Sequence, residues 1–240
     1  MAIREKGPGD GREGGNDRNL DGRGTFERLL ALLVDPGGTF KAIVEKPDFV
    51  GPVILIILAA ALSIPGAMHA IKEMPESQPG QAPSIPVSSQ VSAIIASVST
   101  LITLLVWWPI RAAVFMGTGA ILGSRLDFRS SLAVSGYLNY STFLASLVSA
   151  VTILTVGKPV TPGFGMTLPT SELMTPRGVF LSNLNIFTAI YVFLSIFGLS
   201  ALWKTSKAKA LLATAIMWVI VLAIQVAGAS IAGGLRGITA

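Results

Sequence analysis

Five runs of mostly apolar residues follow one another along this chain, and no other feature narrows its fold as far. They extend from Phe49 to Met68, Val91 to Leu122, Leu132 to Val156, Leu181 to Trp203 and Ala208 to Ala232. A bilayer core about 30 Å thick takes roughly 20 mostly apolar residues of helix to cross, and each run supplies that length. The sequence therefore predicts an all-α polytopic membrane helix bundle with five transmembrane helices. The charged content of 13% agrees, since a soluble domain carries about 25%.

The connections match this division. KEMPESQPGQAPSIPVSSQ and GKPVTPGFGMTLPTSELMTPRG are Pro-rich loops, whereas GSRLDFRS and KTSKAK are short and basic. No internal repeat is visible, which speaks against an inverted-repeat transporter.

Four regions are expected. Residues 1–24 mix glycine with both signs of charge, hold almost no apolar side chain and read as a disordered cytoplasmic tail. Residues 25–47 form a short amphipathic segment, 48–234 the membrane domain, and 235–240 a short tail. No cleaved presequence is expected.

Within the second region Phe26, Leu29, Leu30 and Leu33 recur at helical spacing, with Glu27 and Arg28 assigned to the opposite face. Asp35 followed by Pro36 reads as an N-cap and first helical residue, and Phe40 leads a second apolar face that ends at Pro47. Neither helix is long enough to span. Two placements stand: at the membrane surface or against the bundle, where lipids or partners meet the apolar face, or as a soluble helical pair that caps the bundle.

The distribution of lysine and arginine sets the expected orientation. Arg4 to Lys46, Arg125, Arg129, Lys204, Lys207 and Lys209 fall on one side, against Lys72, Lys158, Arg177 and Arg236 on the other. Basic residues near span ends mark the cytoplasmic side. The amino terminus should face the cytoplasm and the carboxyl terminus the opposite side. Residues 1–48 hold eight Lys/Arg against nine Asp/Glu, so the net charge of +5 comes from the membrane domain and its loops.

The second run would be about 48 Å long as one helix and contains Trp107, Trp108, Pro109 and Arg111. In one reading the tryptophans form an interfacial belt and Arg111 reaches lipid phosphates. In the other, Pro109 lies in a continuous helix and Arg111 faces the bundle. The combination of aromatic residues, proline and arginine favours the first.

Chemistry-bearing residues are few. Cysteine is absent, His69 is the sole histidine, and Glu73, Glu76, Asp127 and Glu172, the acids beyond residue 48, all fall in connections. No catalytic, cofactor-binding or metal-binding residues are expected, and no cofactor. No basic stripe suggests nucleic acid. Arg111, Asn139, Asn183 and Asn185 could form an intramembrane polar cluster, although Asn in such helices more often bonds a neighbouring helix. Gly119 with Gly123, and Gly228 and Gly233 with their small neighbours, read as helix-packing positions. Packing within the chain is favoured over a homo-oligomer contact.

Three stretches resemble the Yip1 family of five-span membrane proteins. FERLLALLVDPGGTFKAIVEKPDFVGPV carries Asp35, Pro36 and Phe40 ahead of the first span. ILGSRLDFRSSLAVSGYLNYSTFLASLVSAV carries the Gly123 turn, the Phe128-Arg129 pair and Gly136-Tyr137. NIFTAIYVFLSIFGLSALWKTSKAKALLATAI carries an aromatic helix and a basic turn. The proline often found a few residues after Gly-Tyr is replaced by Ser141. The resemblance implies a non-enzymatic five-span bundle. In eukaryotes the family is associated with vesicle trafficking and Rab-type small GTPases, which would imply a membrane-protein or small-GTPase-type partner; this chain is more similar to the prokaryotic members, which implies a prokaryotic plasma membrane. The expected function is to organise membrane or recruit partners through the amino-terminal segment. The alternative is a small-solute or ion transporter or channel that uses the polar residues of the bundle.

Overall fold

The computed structural model describes residues 25–72, 88–124, 127–158, 160, 163–169 and 172–238. The expected tail 1–24 and most of the first Pro-rich loop lie outside these residues. Among the described residues ten α-helices follow in chain order: α1 (Thr25–Val34), α2 (Pro36–Glu45), α3 (Val50–Leu62), α4 (Ile64–Lys72), α5 (Ser89–Ile121), α6 (Phe128–Tyr137), α7 (Tyr140–Val156), α8 (Pro176–Asn183), α9 (Ile186–Trp203) and α10 (Lys207–Ile238). The described residues contain no strand. Five stretches are long and apolar enough to cross a membrane: α3 with α4, α5, α6 with α7, α9 and α10.

Local chemistry sets most of the helix boundaries. Asp35 caps α2, its Oδ1 accepting from Gly38 N at 2.9 Å, and Pro36 follows where a missing N–H costs nothing. Asp35→Ala is expected to destabilise the fold by about 1 kcal/mol, measured as a lower unfolding midpoint in detergent, while Asp35→Asn retains most of the stability. Just before α3, Asp48 Oδ1 accepts from Val50 N at 2.8 Å, while Phe49 stands at the cap position without a side-chain bond. Gly123 ends α5 with φ +80, a conformation that favours glycine, and Ser124 N bonds back to Gly119 O.

Two spans are interrupted. Ser63, two residues before Pro65, separates α3 from α4, and its hydroxyl reaches both Ala60 O and Ser97 Oγ on α5. Leu138 and Asn139 separate α6 from α7 without a proline, and Ser141 Oγ donates to Leu138 O. The fourth span begins at Ile186 rather than Leu181, because Leu184 and Asn185 break the run. Helix α10 continues to Ile238, past residue 234 where the membrane domain was expected to end.

The core lies where α2, α3, α6 and α9 converge. Phe40, Ile43, Leu55, Val134, Tyr137 and Leu199 are fully buried there. Helix α5 packs along α6, α4 and α3, while α10 packs against α9 and α8. The outer faces of α5 and α10 expose rows of Ile, Val and Leu. In hydrocarbon such faces need no cover, because lipid tails are as apolar as leucine.

Candidate functional site

The amino-terminal segment is built into the bundle. Helix α2 packs against α9 and α6, and α1 against α2 and α3. On α1, Leu29, Ala31 and Leu32 are buried, and so is Arg28. This corrects the expected assignment of Arg28 to the outer face: its Nη1 donates to the Lys46 carbonyl at 3.4 Å. Phe26, Leu30 and Leu33 turn outward with Val34, at exposures of 73, 55, 56 and 88%. The expected stripe is therefore divided, with Leu29 inside and its three partners outside. Helix α1 thus carries apolar side chains on both faces.

Beneath this cap the Gly-Tyr motif joins three helices. Tyr137, fully buried, donates its hydroxyl to Asp48 Oδ2 at 2.5 Å, while the other oxygen of Asp48 accepts from Val50 N at the start of α3. The tyrosine lies over Gly51, where an added Cβ would stand 2.5 Å from its hydroxyl. Reciprocally, Pro52 lies over Gly136, where a Cβ would stand 2.5 Å from the proline Cβ and 2.7 Å from Trp108 Nε1. Small residues at 51 and 136 thus let α3, α5 and α6 approach closely. Asp48 is a functional neighbour that the sequence alone does not mark, because its tyrosine partner lies 89 residues away.

The second polar centre lies around Arg111. Helix α5 is continuous through Pro109, and Trp108 is buried with its Nε1 donating to Leu132 O at 2.7 Å. Arg111 turns toward the α6–α7 interruption, where its Nη2 donates to Ser135 O at 2.5 Å and to Asn139 Oδ1 at 2.7 Å. Its guanidinium stands 5.9 Å from the centre of the Tyr191 ring on α9. The favoured interfacial reading is thereby overturned. The reason is local: the C-terminal carbonyls of α6 are left free by the interruption and carry the negative end of that helix dipole, so they offer a cation a closer partner than lipid phosphate.

The expected four-residue polar cluster separates. Arg111 and Asn139 meet, but Asn183 Nδ2 donates to Gln225 Oε1 at 3.0 Å. Asn185 caps α9 by accepting from Thr188 N at 2.9 Å. No single pathway gathers these side chains among the described residues. The expected packing glycines also change role. Gly119 is buried, but Gly123 lies beyond the end of α5, and Gly228 faces open space with nothing within 4 Å of an added Cβ. The surroundings of Gly233 lie outside the described residues. His69 sits half-buried in the last turn of α4, and no group of three metal-capable side chains occurs among the described residues.

The remaining motif residues are structural neighbours of these two centres. Pro36 is buried at the start of α2, and Phe128 opens α6. Arg129 stands 6.0 Å from the Phe49 ring, which in turn tilts against Trp108 at 6.5 Å.

Five apolar spans, a docked amino-terminal helical cap and a clamp of polar side chains between helices define a polytopic helical membrane protein. The Yip1 domain family model matches residues 30–228, and the chain belongs to the Yip1 family of integral membrane proteins. No match is found among curated proteins or among solved structures.

Proposed function

We propose that this protein shapes or organises the membrane through α1, which the bundle holds as a fixed apolar ridge at the membrane surface, and that it does so without catalysing a reaction. One observation carries the reading: Leu29, Leu32 and Arg28 dock α1 to the bundle while Phe26, Leu30, Leu33 and Val34 project away from it. A helix that presents an apolar face beside the point where the chain enters the membrane at Val50 is suited to insertion among headgroups. The absence of carboxylates from the spans supports a role other than chemistry. In the orientation expected from the basic residues, the ridge lies on the cytoplasmic side.

Deletion of the whole segment is a poor test, because Phe40 and Ile43 of α2 belong to the core. The combined variant Phe26→Ser, Leu30→Ser, Leu33→Ser, Val34→Ser removes only outward side chains. The expected result is an unchanged unfolding midpoint in detergent with loss of liposome remodelling by the reconstituted protein. Remodelling equal to that of the parent would overturn the reading. Recovery of a protein partner by the parent, lost in the variant, with liposomes unchanged, would replace lipid with protein as the target of the same ridge.

A further inference from the structure

We infer that a recess at one end of the bundle binds the phosphate-bearing headgroup of an anionic phospholipid. The recess, of about 490 Å³, opens where α5 and α9 end and α10 begins, and is lined by Leu122, Ser124, Trp203, Lys204, Thr205 and Lys209 among others. Ser124 Oγ donates to Trp203 O at 3.0 Å and Trp203 Nε1 donates to Phe115 O at 3.1 Å, which fixes the ends of α5 and α9 beside each other. Three spans begin or end here, so the recess lies at the level where the hydrocarbon gives way to headgroups.

Its lining is divided by chemistry in the way such a ligand requires. Leu202 and Trp203, almost fully buried, close the base of the recess, and Leu122, half-exposed, gives it an apolar rim. Lys204 and Lys209 are exposed, and neither makes an ion pair among the described residues. The neighbouring Lys207 is engaged elsewhere, its Nζ standing 4.5 Å from the centre of the Phe197 ring. Two lysines beside an apolar rim match a phosphate joined to acyl chains better than a free anion, which offers nothing to the rim. The outer faces of α5 and α10, rich in exposed Ile, Val and Leu, supply a path for those chains.

Lys204 also occupies a position that favours glycine. It caps α9 with φ +50, and it is the one non-glycine residue with positive φ among those described. Glycine would meet that backbone demand at lower cost, so exchange of this lysine for glycine relieves strain at the end of α9. This gives a variant that removes charge without endangering the fold.

The test uses the full chain in detergent, titrated separately with phosphatidylglycerol, phosphatidylcholine and inorganic phosphate, with bound lipid counted by native mass spectrometry. The parent should retain phosphatidylglycerol at one site in preference to phosphatidylcholine, and inorganic phosphate should not compete at equal concentration. The double variant Lys204→Gly, Lys209→Gln should weaken phosphatidylglycerol at that site about thirtyfold, from about fivefold per lysine near an anionic headgroup. Its unfolding midpoint without lipid should equal or exceed that of the parent. Unchanged phosphatidylglycerol affinity in the double variant would overturn the inference. Equal retention of the two lipids would show that headgroup charge is not read, and competition by inorganic phosphate would assign the recess to a soluble anion; either result also overturns it.

Discussion

Gly136→Ala is expected to destabilise the protein by about 1–3 kcal/mol, read as a lower unfolding midpoint in detergent, and Gly136→Leu to prevent accumulation of folded protein. The added Cβ would lie 2.5 Å from Pro52 Cβ and 2.6 Å from Pro52 Cγ, atoms of a rigid ring on α3. On the other side it would lie 2.7 Å from Trp108 Nε1, which cannot withdraw without losing its bond to Leu132 O. Neither neighbour can yield as the tip of a flexible side chain would. The helices α3 and α5 must therefore move away from α6, which also disturbs Tyr137 and its bond to Asp48. Gly228→Ala supplies the control. Nothing lies within 4 Å of its Cβ, so the substitution is expected to be neutral or to add up to about 1 kcal/mol through helix propensity. Equal midpoints for the two alanine variants would refute the account of the α3–α5–α6 crossing.

Arg111→Leu is expected to cost about 2 kcal/mol. Charged hydrogen bonds contribute about 1.5–3 kcal/mol each in water-soluble proteins, and bonds between membrane helices average about 0.6. Two bonds from one guanidinium, at 2.5 and 2.7 Å, fall between these limits. Removal of a charge from the spans offsets part of the loss, because an unpaired arginine is costly in hydrocarbon. Asn139, at 2% exposure, decides the sign: without the guanidinium its Oδ1 is left buried without a donor, as its Nδ2 already is without an acceptor. The double variant Arg111→Leu, Asn139→Leu should therefore be more stable than the sum of the single losses, by about 1 kcal/mol of coupling. Additive losses in that double-mutant cycle would show that the two side chains do not act as a unit.

Sequence and structure agree where the chemistry is local. The count of spans needed only length and hydropathy, and the Asp35-Pro36 start of α2 and the Gly123 turn needed only a capping side chain and a glycine beyond a helix end. Side-chain direction was less legible. The spacing of Phe26, Leu29, Leu30 and Leu33 placed them near one another on α1, but neighbours on α2 and α3 select Leu29 and Leu32 for burial and leave the others outside. Arg28 was read as outward by the ordinary rule for charge on an amphipathic helix. A backbone carbonyl at Lys46 meets it inside instead.

Glycine spacing misled for a related reason. The pair Gly119 and Gly123 has the form of a packing motif, yet its second member terminates α5. The close approaches occur at Gly51 and Gly136, which are far apart in sequence and show no pattern until α3 and α6 cross.

By itself, then, the sequence determined that five helical stretches are long and apolar enough to cross a membrane, where most of them begin and end, and that these stretches lack carboxylates. Only the tertiary structure decided which face of α1 docks, that Arg111 is held by the α6–α7 interruption, and that Asn183 and Asn185 stand apart from it. The division has one physical cause. Water separates inner from outer faces and writes that separation into a soluble helix as an apolar stripe, whereas lipid is as apolar as the core and leaves the inward direction to be set by packing partners and backbone carbonyls elsewhere in the fold.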